Sequence, residues 1–407
     1  MLNVQYISPC DCLQILNTDI IYFVNILLVT ETYLPYITGV SVSTDSIAKY
    51  MISQGHKVTI VCPKQIAKGE LQPLNNLKVI TVPSIPFTTY NQNTFAIPPF
   101  GFLTINNLMK KEKFDVVHIQ EPGITGVSAL IAAKMNHIPV IGALHFIPEQ
   151  VDRVIWGRFE KVLTPLFNIY IKIIYNQYNA IMTPSHFFAD FLKRLKIRKP
   201  IHVISNGVDT IKFSPTAKNP EARRKLGIPE KSVLFFYLGR IDGDKNVETL
   251  VKAMPYTSPE VMLLIVGKGK KLGQMKKLSE KIGVNQKISW INFIKDSEIV
   301  DFYHKADVFS IMSPYEGQSI VTLQAVAVGL PILAADAGAL PELCHDTKNG
   351  FLVGTYDFKS LAIKMNLLAK DKKLRKEFGA ESRRISLAHH KPKVLHSLEM
   401  LYTKLSQ

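Results

Sequence analysis

Two uninterrupted apolar hexapeptides, Val233-Leu-Phe-Phe-Tyr-Leu238 and Val261-Met-Leu-Leu-Ile-Val266, constrain this chain more than any other feature. Neither alternates polar with apolar residues, so neither suits a sheet with one wet face. Runs of this length fit strands buried on both faces of a parallel sheet, with helices covering each side. The signal recurs at Asn25–Thr30, and more briefly at Lys57–Val61, Val79–Val82, Val116–Ile119, Val140–Ala143 and Ala180–Thr183. After the two hexapeptides come Ile288–Ile291, Val308–Met312 and Ile332–Ala335. Helical spacing is found between them, at Ser43–Gln54, Asn246–Met254, Leu272–Ile282 and Gln318–Val328. The stretch Ser84–Gly101 reads as a long loop bearing Phe87, Tyr90, Phe95 and Phe100. Strands and helices alternating in two series predict an α/β chain of two doubly wound domains, with a hinge within 203–230 and ligands at the C-terminal ends of the strands.

The first domain is expected over 24–205 and the second over 206–387, with a C-terminal helix at about 388–407 packing back on the first. Residues 1–23 follow no period and read as a leader added to the fold. The apolar run Ile20–Val29 is far shorter than the roughly 18 residues of a membrane span, and no Lys or Arg precedes it as in a secretory signal. Cys10, Cys12, Cys62 and Cys344 are too few and scattered for a disulfide framework, which points to a reducing cytoplasm. Cys10 and Cys12 lack the second pair that zinc would need. The net charge of +16 is spread along the chain rather than gathered in a tail. It suits anionic partners, yet forms no nucleic-acid module, so no nucleic acid is expected.

Two common nucleotide fingerprints fail. The loop Thr30–Val42 lacks G-x-G-x-x-G, and in Gly267-Lys-Gly269-Lys-Lys-Leu-Gly273 the third glycine comes one place late. The segment Leu238-Gly239-Arg240-Ile-Asp242-Gly-Asp244-Lys245-Asn246 is sharper. Gly239 permits close backbone approach, and Arg240 and Lys245 set two cations at a strand mouth beside a helix start, which suits a diphosphate. An ordinary solvated turn would look similar. Farther on, Glu316-Gly317 forms the turn before the helix at Gln318. The N–H groups of Gln318, Ser319 and Ile320 would then face an anion, and Gln324, two turns later, would share the side of Glu316. Alone, Glu316 also reads as a dipole-stabilised helix charge and Gln324 as a solvent-facing residue.

Taken in order, several short motifs resemble the retaining glycosyltransferases of family 4, which have the GT-B fold of two Rossmann-like domains facing each other across a cleft. They are Glu31-Thr-Tyr-Leu-Pro35-x3-Gly39-Val40, Gly55-His56-x-Val58, Asp115-Val-Val-His118 and Ser205-Asn-Gly-Val-Asp209. Gly239-Arg240-x4-Lys245-Asn246, Val266-Gly267-x-Gly269, Glu316-Gly317, Gly329-x-Pro331 and Gly338-x2-Pro341-Glu342-x6-Asn349-Gly350 follow. The resemblance implies that Arg240 and Lys245 hold the nucleotide diphosphate and stabilise the leaving group. It implies that Gly39 and Val40 approach the donor phosphates, that Glu316 binds donor-sugar hydroxyls, and that Gly239, Gly267, Gly317 and the N–H groups after it complete the donor site. His145, in Gly142-Ala-Leu-His145-Phe-Ile-Pro148-Glu149, is implied as a sugar contact or acid/base group; His118 and Glu121 also follow a strand. The family's ribose-binding acid falls on Gln324, a departure that bears on nucleotide affinity.

The implied reaction is metal-independent, needs no cofactor, and moves a sugar from a nucleotide sugar, expected to be a UDP-sugar, to a lipid such as diacylglycerol or a lipid-linked glycan. A soluble sugar or polysaccharide acceptor stays open, as does a catalytically silent binding subunit. Ile155–Tyr178 and His186–Pro200 combine apolar and basic residues, and with the aromatic Phe87–Phe100 they suit either core helices or an anionic membrane face. The place expected is the cytoplasm, at the inner face of the cell membrane if peripheral.

Overall fold

The computed structural model describes residues 22–36, 38–64, 77–87, 93–146, 160–216, 223, 224 and 227–407. Apart from Tyr22 and Phe23, the expected leader lies outside the described residues. By contacts the chain forms two compact units. The first gathers the described residues up to Ile204 together with Leu395–Gln407, and the second runs from Ser205 to Val394.

In the first unit, β1 (Asn25–Val29) leads into α1 (Gly39–Ser53), β2 (Lys57–Pro63) and β3 (Leu77–Val82). Next come β4 (Ser84–Phe87), β5 (Asn93–Ala96), α2 (Pro98–Lys111), β6 (Val116–Ile119), α3 (Ile124–Met135) and β7 (Val140–Ala143). The unit continues with α4 (Glu160–Tyr175), β8 (Ala180–Thr183), α5 (His186–Arg194) and β9 (Ile201–Val203). Seven of these strands make a parallel sheet in the order β3-β2-β1-β6-β7-β8-β9. The chain works outward from β1 to β3, then jumps back to β6 on the other side of β1. Right-handed crossovers therefore place α1 on one face and α2 to α5 on the other. The core agrees: Leu27, Val29, Val117, Ile119 and Ile181 pack with residues of α2 to α5.

Two expectations need correcting here. Ser84–Gly101 is not one loop: β4 and β5 pair antiparallel, Ser84 opposite Ala96, and α2 begins at Pro98. Pro86 masks the strand in sequence, yet proline is tolerated in such an edge pair, and a proline suits the first helical turn. The helix expected at Ser43 begins four residues earlier. Thr38 and Ser41 form a capping box: Ser41 N donates to Thr38 Oγ1 at 3.0 Å and Thr38 N to Ser41 Oγ at 2.7 Å. Small and polar residues at this start hide its period.

Helix α3 is capped from a distance. Its N-cap is Gly123, which has no side chain to offer. Glu31, beyond β1, does the work: it accepts from Gly126 N at 3.0 Å and from Thr125 Oγ1 at 2.8 Å. A Cβ on residue 123 would sit 2.5 Å from the Glu31 carboxyl carbon, which accounts for the glycine. Glu121, after β6, accepts from Glu31 N at 2.9 Å and Thr30 Oγ1 at 3.1 Å. Burial, with the charge of Glu121 adding to it, pushes the Glu31 carboxyl up to about 7.

The second unit repeats the plan. β10 (Val233–Leu238) is followed by α6 (Val247–Ala253), β11 (Val261–Val266), α7 (Leu272–Lys281), β12 (Ile288–Ile291) and α8 (Ile299–Lys305). Then come β13 (Val308–Ile311), α9 (Ile320–Ala327), β14 (Ile332–Ala335), β15 (Gly350–Val353), α10 (Phe358–Lys370), α11 (Lys372–Ala388) and α12 (Lys391–Ser406). The sheet is parallel, in the order β12-β11-β10-β13-β14-β15, with the two hexapeptides paired from Val233–Val261 to Leu238–Val266. The helix expected at Gln318–Val328 is shorter, because Ser319 is its N-cap and accepts from Thr322 N. The helix expected at Asn246–Met254 starts at Val247, after a 3-10 turn at Gly243–Lys245 and a left-handed Asn246 (φ 48°). The end of α12 belongs to the first unit: Glu399 lies 2.9 Å from His56 Nε2 and 3.2 Å from Tyr50 Oη, and Tyr402 Oη lies 2.6 Å from His118 Nδ1. Among the described residues no helix is long and apolar enough to cross a membrane.

Glu31→Ala should cost about 1–2 kcal/mol in thermal or denaturant unfolding, the usual loss for a helix cap. Glu31→Gln separates capping from charge. Between about 4.5 and about 7 the native state holds a proton that the unfolded chain releases, so this group's contribution to stability falls as pH rises through that window. The Gln variant has no such titration. Its melting temperature relative to wild type should therefore rise between pH 5 and pH 8; a constant difference would mean that Glu31 does not titrate there.

Candidate active site

In each sheet the strand order reverses next to the first strand, and a doubly wound sheet opens a crevice at such a point. In the second unit the reversal falls between β10 and β13. The loops that follow these neighbours are the two motifs singled out in the sequence, Gly239–Asn246 and Ser313–Ser319.

Adjacency of the strands makes the loops touch. Lys245 Nζ lies 2.6 Å from Glu316 Oε1 and 4.0 Å from Asp244. Ser313 Oγ donates to Asp244 O at 3.0 Å, and Asn246 Nδ2 donates to Met312 O at 3.0 Å and Thr355 O at 2.7 Å. The left-handed Asn246 thus ties the ends of three strands together. Arg240 is half-exposed; its guanidinium pairs with Asp242 and, at 2.7 Å, with Asp244. Exposed pairs of this kind are worth little in water, so the guanidinium can turn to a phosphate at small cost. Beneath it, buried Tyr237 donates to Arg240 O at 2.7 Å. Burial first, and then Glu316 and Asp244, hold the Tyr237 phenol well above its ordinary pKa.

Glycines bring these backbones together. Gly267, at φ +151°, follows β11, and a Cβ there would lie 1.8 Å from Gly239 O. Gly338, at φ +59°, meets Glu316 in the same way, 2.6 Å from its carbonyl oxygen, and Ala339 N donates to that carbonyl at 2.8 Å. The N–H groups of Gly317, Gln318, Ser319 and Ile320 find no acceptor among the described residues, which leaves a row of donors beside Glu316. The Gln318 side chain is committed elsewhere: its Oε1 accepts from Asn206 N at 2.7 Å and Ser205 Oγ at 3.1 Å. Gln324 is partly buried, with its Oε1 2.9 Å from the hydroxyl of buried Tyr303, which also lies 2.8 Å from Val321 O. Sequence spacing could not have paired Tyr303 with Gln324; it takes the packing of α8 against α9.

In the first unit the reversal falls between β1 and β6. Gly39 and Val40 are the first residues of α1, and their N–H groups have no acceptor among the described residues. A Cβ on Gly39 would meet nothing within 4 Å, so the helix start is open in front. His145 follows β7, with Nε2 3.0 Å from Gln120 Oε1. Gln120 is fully buried, and its own Nε2 finds no partner among the described residues. Burial lowers the pKa of His145 to about 4, so the ring is neutral near pH 7, with a proton on Nε2 and a lone pair on Nδ1. His118 lies inside β6, is buried, and bonds to Tyr402, so it is a packed residue. Ile147, Pro148 and Glu149 lie outside the described residues. No group of three or more His, Cys, Asp or Glu among the described residues is placed to hold a metal ion.

Family models agree with this layout. The model described as Glycosyltransferase Family 4 matches residues 37–212, and the one described as Glycosyl transferases group 1 matches residues 218–385. The chain is 26% identical over 353 residues to the alpha-monoglucosyldiacylglycerol synthase of Streptococcus pneumoniae, covering 84% of this chain and 78% of that protein. It is 28% identical over 338 residues to the enzyme of the same name from Acholeplasma laidlawii, covering 79% of this chain and 82% of that protein. Its fold matches the solved structure of sucrose-phosphate synthase from Thermosynechococcus elongatus with a TM-score of 0.79 at 17% identity, over 94% of this chain and 99% of that one.

Because no side chain fits at residue 267, Gly267→Ala should cost upward of about 3 kcal/mol through clash and backbone strain together. A thermal melt would register this as a large drop; an unchanged melting temperature would mean that the two strand ends can separate freely.

Proposed function

The chain belongs to the family 4 glycosyltransferases of GT-B fold, and from that premise we propose that it moves a sugar, with retention of configuration and without a metal ion, from a UDP-sugar to a lipid acceptor such as diacylglycerol. The observation that carries the donor half is the meeting of Lys245 and Glu316 at a strand-order reversal, with Arg240 and a row of N–H groups that find no acceptor among the described residues beside them. The acceptor half rests on the names of two relatives, both alpha-monoglucosyldiacylglycerol synthases.

Breaking a sugar–diphosphate bond leaves negative charge on the departing phosphate and positive character on the anomeric carbon. Arg240 and Lys245 meet the first demand, which is the part a divalent cation would otherwise play. Glu316 holds the sugar through its hydroxyls and, paired with Lys245, keeps that cation aimed at the bond that breaks. Gly39 and Val40 add two helix-start donors for the phosphates. Neutral His145 accepts a hydrogen bond at Nδ1 from a hydroxyl of the reacting sugar, because its other nitrogen is spoken for by Gln120. Gln324 replaces the usual ribose-binding acid, and with an amide it reads one hydroxyl where a carboxylate reads two. The retaining reading is supported by the α in the names of those two relatives, since common nucleotide sugars are themselves α-linked. A same-face attack, in which the leaving phosphate takes the acceptor's proton, needs no enzymic nucleophile.

Calorimetry with UDP, GDP and ADP, followed by transfer from UDP-glucose to diacylglycerol in detergent micelles with EDTA present, tests the reading. UDP should bind, and the product's anomeric proton should report an α linkage. Silence across the nucleotides would leave a binding subunit, and a β product would rule out retention. Arg240→Ala and Lys245→Ala should each lower kcat by about 10²–10³-fold with little change in melting temperature. Glu316→Gln should lower turnover more than UDP affinity. Gln324→Glu should tighten UDP binding; no change would place the ribose elsewhere.

A further inference from the structure

Tyr303, on α8, is fully buried in the second unit, and aromatic neighbours hold its ring. Phe236 meets it edge-on with centroids 5.3 Å apart, Phe213 edge-on at 6.0 Å, and Phe309 at 5.9 Å. A ring packed in this way keeps its hydroxyl in one place. Burial also holds the phenol well above its ordinary pKa, so near pH 7 the hydroxyl keeps its hydrogen. Two oxygens lie within its reach, Val321 O at 2.8 Å and Gln324 Oε1 at 2.9 Å. The Val321 carbonyl sits inside α9, where the helix ladder brings it the N–H of Ala325. Gln324 Oε1 has no other partner among the described residues, so it is the oxygen that depends on the Tyr303 hydrogen.

The other end of the amide follows from this. Gln324 is partly buried, and its Nε2 has no partner among the described residues but is not sealed from solvent. With the oxygen turned inward, the group left for a ligand is an NH2, which only donates. A carboxylate at this position would behave differently. One of its oxygens would accept from Tyr303, and the second, again an acceptor, would face outward. We propose that Tyr303 is a positioning residue for the donor nucleotide: it holds the amide oxygen of Gln324 and so turns the NH2 to the ribose, which makes this chain read a ribose hydroxyl as a hydrogen-bond acceptor. The proposal rests on the placing of the ribose at Gln324 in the function proposed above. A hydroxyl read in this way contributes only its oxygen. An ether oxygen would serve as well, whereas a carboxylate needs the hydroxyl hydrogen.

Calorimetry on the full chain tests this with UDP, its 2′-O-methyl and 3′-O-methyl ethers, and 2′,3′-dideoxy-UDP. Wild type should bind UDP about five- to tenfold more tightly than the dideoxy form, as one good hydrogen bond allows. Relative to UDP, at least one ether should bind about fivefold better to wild type than to Gln324→Glu. The bulk of the methyl group is the same in both proteins, so this difference reports polarity. Tyr303→Phe keeps the ring and removes only the hydroxyl. It should weaken UDP binding about three- to tenfold and leave the dideoxy form unchanged. In a Gln324→Ala background it should add nothing, because Tyr303 acts through that side chain. A packing fault would instead weaken both ligands in either background. Ethers that lose the same factor in wild type and in Gln324→Glu would overturn the polarity. A Tyr303→Phe protein that keeps the full preference for UDP, or loses both ligands alike, would overturn the role of Tyr303. Wild type that binds no UDP would refute the nucleotide-sugar reading and this proposal with it; any other failure, with UDP still bound, would refute this proposal alone.

Discussion

A strand buried on both faces can offer chemistry only at its ends. That constraint organises the molecule. Val233–Leu238 and Val261–Val266 have no wet side, so they must be sandwiched between helices, and their loops carry every group that meets solvent. Where the strand order reverses, two such loops cannot be bridged by a single crossover, and the crevice between them stays open. Lys245 and Glu316 are far apart in sequence but become neighbours because β10 and β13 pair. The ion pair is therefore a product of topology, and the same reversal in the first unit sets Glu31, after β1, against Glu121, after β6.

The strands were the most legible part of the chain, because an apolar run of strand length depends on the run itself and little on its surroundings. Val116–Ile119, Val140–Ala143 and Ala180–Thr183 have the same bounds in sequence and in structure. Helix starts were less legible. At Thr38, Gly123 and Ser319 the decisive hydrogen bonds come from caps, and at Gly123 the cap is a carboxylate about ninety positions away along the chain. The β4–β5 hairpin was missed for a related reason: two short edge strands gain their identity from each other, and Pro86 speaks against either alone.

The same division applies to the proposed site. Arg240, Lys245 and Glu316 stand in recognisable motifs, because a phosphate or sugar must be met by particular side chains beside a glycine turn. Their supports do not. Tyr303 under Gln324, Tyr237 under Arg240 and Gln120 against His145 were invisible in the sequence, because each acts through a contact that only packing creates. Gln324 illustrates what this changes. Its oxygen does not hang in solvent, as a helix-surface reading would have it, but faces a buried phenol.

The return of α12 to the first unit has a consequence for how the two units tolerate damage. Glu399 is the partner of His56, and Tyr402 that of His118, and both histidines are buried in segments that lie hundreds of residues earlier. Fraying of the chain after Val394 therefore leaves two buried imidazoles without these partners in a unit whose strands it never touches. The second unit, which runs from Ser205 to Val394, keeps its own contacts through such a change. A lesion at one end of the sequence is thereby felt by the sheet built from the other.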